Sequence, residues 1–242
     1  MGEPGRWERR VEEFVLGQIG DPPTRVLEVG CGEGELARAL ARAGHSVTAI
    51  DPWAPEGPIF RRARIEEFSD PSRFDHVVAI LSLHHVEDLE GALGNIADAL
   101  RTEGSLVVVE FAWERIDEAT ARWALEHLPG TPASERPSWL WRCCRGCRGW
   151  ARGDEGESHD HGDHAEAHFA RWAGEEGLHD SRQVRAELER RFAERHFEWV
   201  PYLYPDLADG VSEADESAAI ESGTINATGF RYVGIRRAAT EP

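Results

Sequence analysis

The stretch that most constrains this chain is Val26–Asp51, "VLEVGCGEGELARALARAGHSVTAID". An apolar strand pattern feeds Gly30, Gly32 and Gly34, a helical pattern follows, and a second apolar run ends on an acid. Glycines at this spacing let a backbone come close to a ligand, and the strand–loop–helix order aims helix N–H groups at the same point. Ligands of open α/β sheets bind at the carboxyl ends of the strands, where both the loop and Asp51 fall, so one molecule can touch both. The third glycine comes one residue early for G-x-G-x-x-G, with Glu35 in the expected place, and Glu28 would repel a pyrophosphate. A cationic ligand suits Glu28 better than a dinucleotide does.

The rest of the chain supplies the scaffold for that loop. Strand patterns occur at Arg25–Val29, Val47–Ile50, His76–Leu83 and Ser105–Glu110, with a weaker one at Ile59–Arg62. Helical patterns occupy Arg6–Gly20, Glu35–Ala43 and Glu90–Leu100, and a short acidic turn surrounds Glu66. His76–Leu83 is too uniformly apolar for a strand with a wet face and belongs in the middle of a parallel sheet. This alternation predicts a doubly wound α/β fold. Phe197–Val200 and Phe230–Ile235, separated by a helix near Glu213–Ser222, would close the sheet as an edge pair. Pro129–His196 shows no strand pattern, although Ala165–Ala173 and Arg182–Phe192 look helical. It reads as a mainly helical cap inserted between core segments at about 21–128 and 197–237 of a single domain, its histidines and tryptophans lining a pocket.

Charge and composition narrow the partners. Among 242 residues, 45 acidic against 27 basic give a net charge of -18, which disfavours nucleic acid. The chain has no Lys, which removes a lysine base or Schiff base. Three of its four cysteines crowd at Cys143, Cys144 and Cys147, unlike a secreted disulfide framework, so a reducing compartment is expected. With no signal-peptide pattern and no apolar run of bilayer length, the expectation is a cytoplasmic protein without a membrane partner, monomeric or homodimeric.

Two further stretches carry sharper alternatives. Cys144 and Cys147 followed by His159 and His164 superficially match a zinc-finger spacing. The residues between them are glycine and acid rather than packing residues, and His161 and His168 offer competing registers, so a solvated loop without metal is expected. The run Arg136–Arg152, with Trp139, Trp141 and Trp150 among its arginines, can be read as a base-stacking surface or as an amphipathic cap helix. The net charge favours the cap helix.

Taken together, "LEVGCGEGELARAL", the acid of "TAID" and "FDHVVAILSLHHV…ALGNIADALRTEGSLVVVEF" resemble the class I S-adenosylmethionine-dependent methyltransferases. The resemblance runs from Arg25 to Glu110 in consistent order, and more loosely through the closing strands. It implies a Rossmann-like, mostly parallel seven-stranded sheet with S-adenosyl-L-methionine as cofactor and S-adenosyl-L-homocysteine as product. It further implies that Gly30, Cys31, Gly32 and Gly34 hold the amino-acid end of the cofactor, with Glu28 near its ammonium. Asp51 would accept bonds from both ribose hydroxyls, with Pro52 and Trp53 against the adenine. The Ile65 backbone and Glu66 would lie at the adenine edge, and Leu81 beside the cofactor.

Methyl transfer from a sulfonium is an in-line displacement that depends on holding the nucleophile close and aligned. A hydroxyl acceptor gains from a base that is unprotonated near neutral pH, and His84 and His85 stand at the end of the fourth strand pattern. Strand alternation lets only one of them face a cleft and leaves open which. His85, Trp113, Trp139, His179 and Tyr202 are the candidate acceptor contacts. "SLHH" departs from the Asn/Asp-Pro-Pro-aromatic run of the amino-methylating branches, which argues against a nucleobase amino acceptor. The expected function is methylation of a small molecule, on oxygen. Two alternatives stand beside it: a cofactor-binding protein of the same fold with cyclase-like or regulatory activity, and a nucleic-acid methyltransferase using the Arg/Trp run.

Overall fold

The computed structural model describes residues 6–71, 73–127, 165–207 and 210–237. Its strands form one seven-stranded sheet in the order β3-β2-β1-β4-β5-β7-β6. They are β1 (Arg25–Val29), β2 (Ser46–Asp51), β3 (Phe60–Arg62), β4 (Phe74–Ile80), β5 (Leu100–Phe111), β6 (Phe192–Val200) and β7 (Gly229–Arg236). The pairings β1–β2, β1–β4, β2–β3 and β4–β5 are parallel. The helices among the described residues are α1 (Arg6–Ile19), α2 (Glu35–Arg42), α3 (Leu89–Ala99), α4 (Glu118–Glu126), α5 (Ala165–Glu175), α6 (Ser181–Arg191) and α7 (Glu213–Glu221).

Contacts divide the chain into two compact units. The first comprises Met1–Glu110, Arg182–Glu198 and Phe230–Pro242. Val26, Leu27, Val77, Val78 and Leu106–Val108 are fully buried in its sheet, as strands covered on both faces require. Val11, Val15 and Ile19 of α1 and Ala37 and Leu40 of α2 pack into the same core. The hydrophobic spacing of both helices thus becomes one apolar stripe each.

The first unit departs from the sequence expectation in its fourth, fifth and sixth strands, the fifth running Leu100–Phe111 rather than Ser105–Glu110. The fourth strand ends at Ile80, not Leu83, because Leu81 takes a left-handed backbone at φ +50°. Leu83–His85 form a single 3₁₀ turn, so His84 and His85 are turn residues and the strand alternation does not apply to them. The sixth strand starts at Phe192, five residues before the expected Phe197, since the Phe192 side chain is completely buried. Helix α6 and the start of β6 therefore group with the sheet, although they fall inside the stretch expected to be a cap.

The second unit comprises Phe111–Ser181 and Trp199–Gly229. The Tyr202 ring stacks on Phe111 at 4.6 Å, and the Arg115 guanidinium lies 3.9 Å over the Trp199 ring. Buried Glu216 of α7 accepts the backbone N–H groups of Tyr202, Leu203 and Tyr204 at 2.7–3.1 Å. Burial raises its pKa even so. Glu216→Ala would strand these donors at a cost of about 1–3 kcal/mol each. Denaturant unfolding should therefore show a loss of at least about 3 kcal/mol.

Candidate functional site

At the carboxyl ends of β1 and β2 the chain builds a small charged cradle. Gly30 and Cys31 donate to the Ile50 carbonyl at 2.9 and 3.1 Å, tying the glycine loop to the end of β2. Gly34 donates back to Cys31 O at 2.8 Å, and Gly32 donates to Asp51 Oδ2 at 3.1 Å. These four loop N–H groups are thus engaged inside the protein. Two of the glycines are irreplaceable on local grounds. Gly30 has φ +73°, and a Cβ there would collide with Ser82. Gly34 has φ +77°, and a Cβ there would run into the Phe60 ring. Gly34→Ala should cost about 1–3 kcal/mol of stability, read as a lowered thermal midpoint.

The carboxylates of this cradle are unequal. Asp51 is partly open, with Oδ1 accepting from Trp53 N at 2.8 Å and Oδ2 from Gly32 N. Each oxygen keeps a further lone pair, as a diol requires. Glu28 is buried at 4% exposure and takes the Ala37 N–H, while its Oε2 has no hydrogen-bond partner. Burial first, and the Asp51 charge second, push its pKa up to about 8. A cation seated there would relieve both effects. Cys31 is pushed up to about 12 by burial and by the same two carboxylates, so its thiol is protonated and inert.

Trp53 is the one exposed large apolar residue among the described residues, at 82% exposure, one position beyond Pro52. On the neighbouring turn, Ile65 is buried and Glu66 accepts Glu87 N at 3.2 Å. The Asn95 amide, from the middle of α3, donates to the carbonyls of both Ile65 and Glu66 at 2.9 Å. Nothing in the sequence marks Asn95, because a lone polar residue in a helix looks like a surface position.

The turn after β4 carries the histidines. Leu81 donates to Val109 O at 2.8 Å and holds φ +50°, which costs a non-glycine residue about 1–2 kcal/mol. His84 is 1% exposed, with Nδ1 2.5 Å from Glu110 Oε2. His85 is exposed, its ring centroid 4.1 Å from that of His84. Burial and then the neighbouring His84 push the His85 pKa down to about 4, while Glu110 opposes the fall. His85 is therefore neutral at pH 7. Of the two histidines, only His85 is accessible.

The other candidate acceptor contacts belong to the second unit. Trp113 Nε1 donates to His179 O at 3.2 Å, which brings those two residues together. Tyr202 is 1% exposed and serves as core. Trp139, the Arg136–Arg152 run, and Cys143, Cys144, Cys147, His159, His161 and His164 lie outside the described residues, as does the side chain of His168. Among the described residues no His/Cys/Asp/Glu group is arranged to hold a metal ion, and no helix is long and apolar enough to cross a membrane.

Comparison with known proteins agrees with this geometry. A methyltransferase domain family model matches residues 3–146, more than half of the chain. An uncharacterised methyltransferase of Mycobacterium tuberculosis is 38% identical over 101 residues, covering 36% of this chain and 50% of that protein. A ubiquinone biosynthesis O-methyltransferase of Xanthomonas campestris is 34% identical over 110 residues, covering 39% and 46%. The chain spans about half the length of the curated relatives it matches. Among solved structures, the N-methyltransferase NodS of Bradyrhizobium japonicum, in complex with S-adenosylhomocysteine, superposes with TM-score 0.54 at 16% identity, covering 98% of this chain and 90% of that one. A methyltransferase of Mesorhizobium loti gives 0.55 at 19% identity, covering 96% and 99%. At these identities the structural likeness speaks for the fold alone. By its matched domain, its sheet order and its glycine loop with paired acids, the chain belongs to the class I S-adenosylmethionine-dependent methyltransferases.

Proposed function

We propose that this chain methylates a small-molecule acceptor, on oxygen, with the cofactor held at the tips of β1 and β2. The observation that carries this reading is the buried, half-satisfied Glu28 carboxyl beside Asp51 at the glycine loop. Such a pair suits a ligand with a cationic end and a diol, and the engaged loop N–H groups offer little to an anion. Bound there, the cofactor supplies an electrophilic methyl group on a sulfonium. Glu28 faces the ammonium, Asp51 accepts from the ribose hydroxyls, and Trp53 covers the adenine with Pro52. The Ile65–Glu66 turn, braced by Asn95, borders the adenine edge, and Leu81 lines the inner side.

For the acceptor, His85 is the base. It is accessible and neutral at pH 7, so it can take the hydroxyl proton as the oxygen attacks. The likeness to a ubiquinone biosynthesis O-methyltransferase over 110 residues supports an oxygen acceptor. The net charge of -18 supports a small molecule over nucleic acid. The experiment is a screen of phenolic, carboxylic and amine acceptors for formation of S-adenosylhomocysteine. Turnover with a hydroxylated acceptor is expected, and turnover confined to amines would replace the oxygen assignment. His85→Ala should lower turnover about 100-fold or more, leaving S-adenosylhomocysteine affinity within about twofold, because a positioned base is worth about 10²–10⁴ in rate.

A further inference from the structure

Glu110 is completely buried near the end of β5, and no step of the transfer described above uses it. Its Oε1 accepts Ser82 N at 2.9 Å and Leu83 N at 2.6 Å, and its Oε2 lies 2.5 Å from His84 Nδ1. An ionised carboxylate is an expensive group to bury and persists only when fully hydrogen-bonded. A neutral acceptor could serve the two backbone donors alone. What the carboxylate adds is a second accepting oxygen, which requires His84 Nδ1 to carry a hydrogen. In a neutral imidazole one nitrogen then donates and the other accepts, so Nε2 becomes the accepting nitrogen. The same three bonds span the turn that follows the left-handed Leu81, and the His84 ring supports His85.

We propose that Glu110 is a positioning residue for methyl transfer, fixing the 81–85 turn and the Nδ1–H tautomer of His84 and thereby the placement of His85. This rests on His85 being the base, as read above. No proton passes to Glu110. His85 takes the acceptor proton and returns it to water after the product leaves. Glu110→Gln tests the idea, because the single amide oxygen goes to Ser82 N and Leu83 N. The amide NH₂ then faces His84 Nδ1, which must accept, so the hydrogen moves to Nε2.

The measurement is ¹⁵N NMR of the histidine-labelled full chain with S-adenosylhomocysteine added, between pH 6 and 8. In the unmodified chain the His84 hydrogen should sit on Nδ1, and in Glu110→Gln it should sit on Nε2. Once an acceptor is in hand, turnover should drop about 10- to 100-fold with cofactor affinity within about twofold, as misplacement of a reacting group does. A purely structural role would lower stability and move the tautomer while leaving turnover of the folded variant unchanged, and that result would overturn the proposal. Nε2–H on His84 in the unmodified chain overturns the proposal even if the variant fails to fold, and so does an unchanged tautomer in Glu110→Gln. If the unmodified chain binds S-adenosylhomocysteine in either case, the functional reading stands and only this inference falls. Absence of binding to the unmodified chain removes both.

Discussion

Asp51→Ala is expected to weaken S-adenosylhomocysteine binding by at least about 100-fold. Two hydroxyls bonding to one carboxylate are worth about 1.5–3 kcal/mol each when the acceptor is charged, and about 1.4 kcal/mol is a factor of ten. The substitution also frees the Gly32 and Trp53 N–H groups, which loosens the loop that shapes the cradle. Asp51→Asn is the sharper variant, since its amide oxygen can accept one of these bonds while its amide nitrogen must donate. It should fall between the wild type and Ala. Equilibrium titration of the three proteins decides the order, and equal affinities would remove Asp51 from the site.

The second large effect concerns Glu28. Its carboxyl titrates near pH 8 in the folded chain and near 4.5 when unfolded, so the folded state holds an extra proton between these values. Stability contributed by that proton is present below about pH 4.5 and is lost as pH rises through about 8. The loss is on the order of 4–5 kcal/mol, at about 1.4 kcal/mol per pKa unit. Glu28→Gln keeps the shape without the charge. It should match the wild type near pH 5 and exceed it by several kcal/mol at pH 9 without cofactor, as urea titrations at the two pH values would read. The same variant should bind S-adenosylhomocysteine more weakly, because the ammonium loses its counter-charge. A wild type that keeps full stability at pH 9 would mean that Glu28 ionises without penalty.

Much of this architecture is legible in the residues because local and global signals agree. The apolar runs of β1, β4 and β5 can only be covered strands, and glycines before Glu35 can only be a strand-to-helix loop. Glu28 and Asp51 stand out by their position in that pattern, whereas Trp53 enters only through the family resemblance. What the sequence hides are contacts between residues distant along the chain. Glu110 reads as the last residue of a buried strand, yet its carboxylate organises a turn 26–28 residues earlier. Leu81 carries no sign of a left-handed backbone, since leucine disfavours it, and so the strand pattern runs on to Leu83. Phe192 begins a strand that looks polar in "FAERHFEWV" because an edge strand needs few apolar residues. His84 and His85 are indistinguishable by pattern and separate only through burial.

On the proposed reading, a sulfur nucleoside with an ammonium end and a ribose diol seats against Glu28 and Asp51 at the tips of β1 and β2. The most direct test is calorimetric titration of the chain with S-adenosylhomocysteine at pH 7 and pH 9, in buffers of differing ionisation enthalpy. Saturable binding is expected at both, with close to one proton released at pH 7, where Glu28 starts protonated, and almost none at pH 9. Absence of binding heat in every buffer, or binding without proton release at pH 7, would contradict that reading.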